Sequence, residues 1–599
     1  MRRLRSIRTS LLAWALGLLV SVPVPAAAQD GPSEPAVTAT AGDSTSGDGE
    51  TCQGVITSID IDSRSIFDPE STSIAPLAWA YRVLNLVHVN TRDSFIRREL
   101  LFEEGDCYDP FLVSESYRLL DNYGFMMVED IRVEDDGSGG QHVIVQTRDE
   151  WSTKVDVGLT YDEGRLNLER FQATEENFLG QGVFFEYTYY ARREARMQSV
   201  GLRTPRFFGR SDAGISGGTT RAGKFFEQYW RYPFVGEAGR VAVRQGYDVR
   251  TDFFAYSTGD AEAFTQVLLP LRREVIELAG AYRFGRPGAS WIVGGSLRRD
   301  VVTFPDPPEI TFGDFDEHEP LAGDVPEPMA RQLRPFSATR AALHLGARRL
   351  RYVNYSGLDD ITGQQLVGLG LFAGVSVGRT LPIFESGRAP AEDDWFARAH
   401  LSYTVPFGPS LFHAGATFAA HHPDAGWQDI LVDGDLVAYI RGRLLPWQTL
   451  FFRVSSAGGW RTTLPFQLAL GGRQGVRSLE EDRYPGGRML RFVAEDRIGL
   501  PWPDETIDLG FTLFTDVGRV WPGDVPYGVD SGWKTALGVG LRIGLPKGTR
   551  HIWRADVAFP VGGGSPIFRV SMELNRLAGG FFTPDVSRSR RFTLGAETF

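Results

Sequence analysis

The sequence predicts an all-β transmembrane barrel of antiparallel strands, preceded by a small α+β domain and a cleavable secretory signal. Three observations predict it. From about residue 151 almost to the end of the 599-residue chain, segments alternate apolar and polar side chains. Such period-two alternation marks strands with one face in an apolar medium and the other in a polar one. No later run reaches the roughly 18 apolar residues of a membrane helix, so any span is built of strands, and a closed ring satisfies their backbone groups in lipid. The first 28 residues place Arg2, Arg3, Arg5 and Arg8 ahead of an apolar run from Leu11 to Val20 and a small-residue site at Ala26-Ala27-Ala28. That is the pattern of a signal peptide cut after Ala28.

Loss of those arginines takes the formal charge from -12 to -16, because the segment holds no acid. An acidic chain with no basic, aromatic-interleaved stripe excludes nucleic acid as a partner. Residues 29–51 are mostly Ser, Thr, Gly, Pro and acid, the composition of a disordered leader. Cys52 and Cys107 are the two cysteines. In an oxidising compartment they can form a disulfide or stay as two small buried thiols, and sequence does not decide between these. His421 and His422 fall in an expected loop, and no His or Cys pair has zinc-type spacing with partners, so neither a metal nor a cofactor is expected.

Residues 52–150 read as a compact domain. A strand opens at Val55, and a helical insertion follows near Leu77 to Leu86. Then come a helix capped by Thr91, a Gly105-Asp106 turn, a second helix ending at Gly124 and a hairpin across Gly137 to Gly140. This order, with Thr91-Arg92 ahead of Ile96-Arg97-Arg98 and Tyr123-Gly124-Phe125 ahead of a strand, resembles the POTRA domain of outer-membrane assembly proteins. The resemblance implies a periplasmic domain that pairs partner or client strands along its exposed sheet edge, with Val143 to Arg148 as the segment to probe by crosslinking.

Residues 151–574 are expected to form the barrel. Asn177 to Gly182 resemble an early-barrel turn of the same superfamily. In Val367 to Val377 the odd positions, Val367, Leu369, Leu371, Ala373, Val375 and Val377, are expected to face lipid and the even ones the lumen. Gly374-Val375-Ser376-Val377-Gly378 fits the spacing of a hydrolase nucleophile elbow, but the elbow needs a sharp strand-to-helix turn and here alternation passes through the serine. Gly368-Leu369-Gly370 has no following helix to aim amides at a phosphate. No catalytic residue is assigned, and the chain is not expected to be an enzyme.

The stretch Leu470 to Leu490 sets Val476-Arg477 between Gly471-Gly472 and Gly486-Gly487, in a long loop between two alternating segments. In the strand after it, Glu495 and Arg497 fall on the lumenal face, and in the next strand Asp516 points inward. A guanidinium, with five donors in a planar fork, can bridge two such carboxylates. These segments resemble the C-terminal half of the BamA/TamA-type outer-membrane protein assembly superfamily (bacterial surface antigen family), which includes the two-partner secretion transporters. The resemblance spans residues 53–574 and implies a barrel of about 16 strands, a loop that tucks into the lumen, and an Arg477 that meets Glu495 and Asp516. Two features depart from it. Ser478 and Leu479 stand where the family has glycine and an aromatic, and Asp496 falls on the lipid face, where a charge is costly.

Phe568, Val570, Met572 and Leu574 alternate with polar residues in the fifth strand after the loop, which the resemblance makes the closing strand. Residues 575–599 are then a C-terminal extension. The alternative is closure by Phe592 to Phe599. The resemblance implies an outer-membrane protein with its POTRA domain in the periplasm, assisting insertion or translocation of polypeptides. Its partners would be outer-membrane lipid, client polypeptides, and periplasmic or inner-membrane proteins. Clients would enter at the seam between the closing strand and the first strand near Val155 to Leu159. With one POTRA domain it would be an accessory factor. The competing readings are a passive or gated pore of the same fold and a surface antigen or adhesin.

Overall fold

The computed structural model describes residues 52, 54–67, 79, 85 and 88–573, apart from 163–164, 193–194, 260–264, 313, 322–324, 382, 384–389, 391–392, 443–444, 446, 473–474, 481, 501–506 and 546. The signal, the leader, most of the helical insertion near Leu77 to Leu86, Leu574 and the C-terminal extension with its rival strand lie outside the described residues.

The N-terminal unit runs β1 (Ile56–Arg64), α1 (Asp93–Glu99), α2 (Pro110–Asp121), β2 (Met126–Asp135) and β3 (Gln141–Asp149). Its sheet has the order β1-β3-β2, with β1 parallel and β2 antiparallel to β3. Val143 and Val145 on β3 alternate onto the face that the helices cover, and they join Ile59, Phe95, Ile96 and Leu120 in one core. Two expectations fail here. Val143 to Arg148 lie in the central strand, hydrogen-bonded on both sides, and so cannot be a docking edge. Thr91 does not cap α1. Arg92 holds the cap position without a side-chain bond, because Thr91 bonds elsewhere: its amide donates to Asp149 Oδ2 (2.8 Å) and its hydroxyl accepts from Asn177 Nδ2 (2.8 Å). A disulfide joins Cys52 to Cys107, with the alpha-carbons 5.5 Å apart, and ties the approach to β1 to the turn before α2.

The wall begins with β4 (Thr153–Asp162), β5 (Arg165–Phe178), β6 (Val183–Arg192), β7 (Ala195–Phe208), β8 (Ser211–Thr219) and β9 (Lys224–Tyr232). Longer strands follow: β10 (Val241–Ser257), β11 (Thr265–Arg286) and β12 (Ala289–Thr303). A short hairpin, β13 (Glu309–Phe312) and β14 (Asp314–Pro320), and helix α3 (Glu327–Gln332) lead to β15 (Phe336–Ser356) and β16 (Gln364–Leu381). Then come β17 (Asp394–Phe407), β18 (Ser410–Pro423), β19 (Gln428–Arg441) and β20 (Gln448–Trp460). A long loop carries β21 (Leu468–Ala469) and β22 (Pro485–Gly486). The wall ends with β23 (Arg488–Leu500), β24 (Asp508–Trp521), β25 (Lys534–Gly544), β26 (Ile552–Pro560) and β27 (Ile567–Glu573).

All but β1–β3, β21 and β22 share one sheet of 22 strands, whose order brings β27 beside β4. The expected number was about 16. The hairpin β13–β14 accounts for two of the difference: it pairs with the end of β11, while β12 pairs directly with β15. Without the hairpin the wall has 20 strands among the described residues.

Where alternation is clean it sorts the two faces. Leu537, Val539 and Leu541 of β25 are exposed to the membrane side, and the residues between them are buried inward. On β16 the phase breaks. Val375 and Val377 are exposed as expected, but Val367 and Leu369 are 2% and 3% exposed and join Leu411, Tyr439 and Phe451 inside the barrel. Gly370 between them has φ +124°, a conformation that lets the strand turn over without a side chain, and a Cβ there would meet Arg349 O at 2.0 Å. His421 is not in a loop either. It closes β18, buried, with Nδ1 2.7 Å from Asp394, which also pairs with Arg340 at 3.0 Å. Asp496 accepts a 2.7 Å bond from Gln448 Nε2, four residues before β23 ends, so a rim partner offsets its cost on that face.

The N-terminal unit docks on the barrel turns at the end where the chain enters. The amide of Arg92 donates to Gly180 O (3.0 Å) in the turn between β5 and β6. Opposite, Arg550 donates to the carbonyls of Asp121 (2.9 Å) and Met126 (2.7 Å). Gly182 has φ +64°, and a Cβ there would come 2.5 Å from the Phe95 ring. Gly182→Val is therefore expected to lift the unit off this turn. Limited proteolysis should cut near residue 150 faster, while the barrel keeps its heat-modifiable mobility on gels. An unchanged digestion pattern would contradict this docking.

Candidate functional site

The loop between β20 and β23 folds back into the barrel. β21 pairs with β22, Leu468 opposite Gly486, and the Gly487 amide donates to Trp521 O and Pro522 O on β24 and just beyond it (3.0 and 2.9 Å). Inside that neck the chain turns tightly: Gly475 N donates to Gly472 O, and Val476 N to Leu470 O (both 3.0 Å). A Cβ on Gly471 would stand 1.8 Å from Glu480 O, and one on Gly518 of β24 would stand 2.6 Å from Leu470 Cδ1. Only glycine lets loop and wall approach so closely. Phe466, Leu468, Leu470, Val476 and Leu479 form an apolar cluster under the neck. Leu479 thus fills the expected aromatic's position with apolar volume. Ser478 is buried, and its hydroxyl meets no hydrogen-bond partner among the described residues.

The cluster delivers Arg477 to a set of carboxylates. Its Nε and Nη2 donate to Asp516 Oδ2 and Oδ1, both at 2.8 Å, and its amide donates to Asp516 Oδ2 at 3.0 Å. Nη1 lies 2.9 Å from Glu495 Oε1 and 3.3 Å from Asp556 Oδ2, and the Phe514 ring stacks at 3.5 Å. Arg477 is 8% exposed and Asp516 not at all. In so enclosed a place the cation and its partners need one another, since removing water from an unpaired charge costs several kcal/mol.

The sequence-derived residues Gly471, Gly472, Val476, Arg477, Gly486, Gly487, Glu495 and Asp516 come together at this place. Asp556, Arg554 and Phe514 were not among them as partners. Arg554 joins Glu495 (3.2 Å) to Asp556 (3.0 Å). Alternation along β26 would have found the pair, because Trp553 faces out and Arg554 and Asp556 face in. The closing strand also reaches the loop: Arg569 Nη2 donates to Leu479 O (2.9 Å) and Nε to Arg477 O (3.3 Å). Phe568 and Val570 on that strand are exposed, whereas the Met572 side chain lies outside the described residues.

Ser376 sits in continuously paired β16. Its Oγ is 2.7 Å from His344 Nδ1, and His344 Nε2 is 2.8 Å from Ser296 Oγ. This is a polar ladder across three strands, in a ladder-paired strand rather than at the turn an elbow requires.

No protein-family model matches the chain. Over 99 residues, 16% of the chain, it is 32% identical to an outer membrane protein assembly factor BamA from Neorickettsia risticii (strain Illinois), and it spans only 12% of that protein's length. Solved structures with a similar course include BamA from Haemophilus ducreyi lacking POTRA domains 1–3, with 13% identity, coverage of 87% and 85% and TM-score 0.35. CdiB from Escherichia coli aligns at 12% identity, with coverage of 87% and 75% and TM-score 0.36. CdiB from Acinetobacter baumannii gives 11%, 87%, 73% and 0.37.

Replacing Arg477 by alanine leaves Asp516, Glu495 and Asp556 without their shared cation. The expected loss of barrel stability is about 3–5 kcal/mol, with the loop opened to protease. Arg477→Lys, which keeps the charge and loses the fork, should fall between. Heat-modifiability and protease mapping check both, and wild-type behaviour in the alanine variant would contradict the arrangement.

Proposed function

We propose that this outer-membrane β-barrel of the BamA/TamA type assists the insertion or translocation of polypeptides across its first-to-last seam, as an accessory factor with a single POTRA domain. The observation that carries the reading is the asymmetry of the wall. β27 and β4 have 7 and 10 residues, against 22 in β11 and 21 in β15. A junction of short strands opens at less cost than the long ladders of β11 and β15; β8, β9 and β26, with 9 residues each, are also short, and what singles out this junction is that it joins the first and last strands of the wall. An opened seam presents two short unpaired edges to which an incoming strand can add.

The N-terminal unit supports the same reading once its edge is reassigned. The outer side of β1 is occupied near its start, where Ile56 N donates to Asp106 O (2.9 Å) and Gly105 N to Ile56 O (2.8 Å). β2 is the other outer strand of the sheet. Val128 to Asp135 on β2 therefore replace Val143 to Arg148 as the docking edge. The similarity to BamA covers too little of that protein to carry its activity over, so client identity rests on experiment.

Val570→Cys, paired in turn with single cysteines from Val155 to Leu159, should yield one combination that oxidises to a locked seam with the barrel folded. Locking is expected to abolish the growth or secretion phenotype, and reduction should restore it. Full activity with a locked seam would reject lateral opening. A conductance unaffected by client polypeptides in that same locked protein would establish a passive pore instead.

A further inference from the structure

The turn between β15 and β16, residues 357–363, does not stop at the rim. Leu358, Asp359 and Asp360 are 0%, 7% and 4% exposed, and Leu358 lies in the lumenal apolar cluster with Val367, Leu411 and Tyr439. The turn reaches strands far from its own along the wall. Arg497 of β23 donates from Nη1 to Leu358 O (2.7 Å) and to Asp359 Oδ1 (3.0 Å). Arg542 of β25 donates to Asp359 O, and Thr362 donates to Asp508 of β24 (2.6 Å). Tyr439 OH adds a 2.8 Å bond to Asp359, and Thr449 OH a 2.7 Å bond to Gly357 O. At Gly357, with φ +68°, a Cβ would meet Arg441 Nη2 at 2.8 Å.

Arg497 also holds Glu495 (Nε to Oε2, 2.8 Å), whose other oxygen is 2.9 Å from Arg477. An unbroken line of charge-assisted contacts therefore runs Asp359, Arg497, Glu495, Arg477, Asp516. It begins in a turn entering the lumen from the N-terminal unit's end and finishes in the loop entering from the opposite end. We infer that turn 357–363 is a second lumenal plug, and that Arg497 is the positioning residue that couples it to the arginine loop, so that the two release together. Arg497 is suited to the task because its fork divides between the turn and Glu495, the acid that also holds Arg477, and the Phe451 ring at 4.1 Å limits its alternatives. Loss of the Asp359 end turns Arg497 toward Glu495, which weakens the hold of Glu495 on Arg477. The inference does not depend on what crosses the barrel.

The test reads the loop while perturbing the turn. Ser478→Cys, buried in the loop, is labelled on intact cells with a membrane-impermeant maleimide; Cys52 and Cys107 are bridged and do not compete. Adding Asp359→Asn, which touches no loop residue, should speed labelling about tenfold, the factor expected when a coupling of ordinary size is lost. Thr449→Ala loosens the turn without changing charge and should speed labelling by a smaller factor, so it decides the matter if the aspartate variant does not fold. Arg273→Gln breaks a lumenal pair elsewhere, Arg273 with Asp300 at 2.8 Å, and should leave the rate unchanged. Wild-type labelling in the folded turn variants, or an equal rise in the Arg273 variant, would overturn the coupling.

Discussion

A guanidinium confined among carboxylates is the constraint on which the second half of this barrel depends. Arg477 takes Glu495 from β23, Asp516 from β24 and Asp556 from β26. A register slip in any of these strands by one residue would turn its acid to the lipid face and strand a buried charge. The loop therefore fixes the strands as much as the strands fix the loop. Arg569 on β27 extends the reach of that arrangement to the last strand, so that four of the last five strands bind one folded-in loop. Apolar packing sets the distance of approach, since Leu470 seats against Gly518, and the ion pairs then choose the register.

The remainder of the ring is built on a different balance. Long strands such as β11 and β15 provide the continuous hydrogen bonding that holds a large barrel closed. The lumen behind them is filled with paired charge, as in Arg273 with Asp300 and Arg340 with Asp394. Short strands gather at the two ends of the wall, β4, β6, β8 and β9 at one and β26 and β27 at the other.

How far the sequence disclosed this depended on how local each cause was. Alternation placed Glu495, Arg497 and Asp516 inside, because β23 and β24 run without interruption. The same rule misplaced Val367 and Leu369, since nothing in the residue types shows that Gly370 takes a positive φ. Thr91 carried a good cap signal, and a bond to Asn177, 86 residues away, outcompeted it. The strand number was underestimated in part because the short hairpin β13–β14 joins the sheet beside β11. Turn 357–363 was invisible as a plug, because its meaning lies in Arg497, 138 residues later.

In the proposed function, polypeptide meets this barrel at the seam beside β27. A photoreactive amino acid in place of Val570, which is 57% exposed beside that junction, measures this directly in growing cells. The expected result is crosslinked adducts with outer-membrane polypeptides in transit, lost when their synthesis is halted. Adducts with lipid alone, unchanged by halting synthesis, would contradict it.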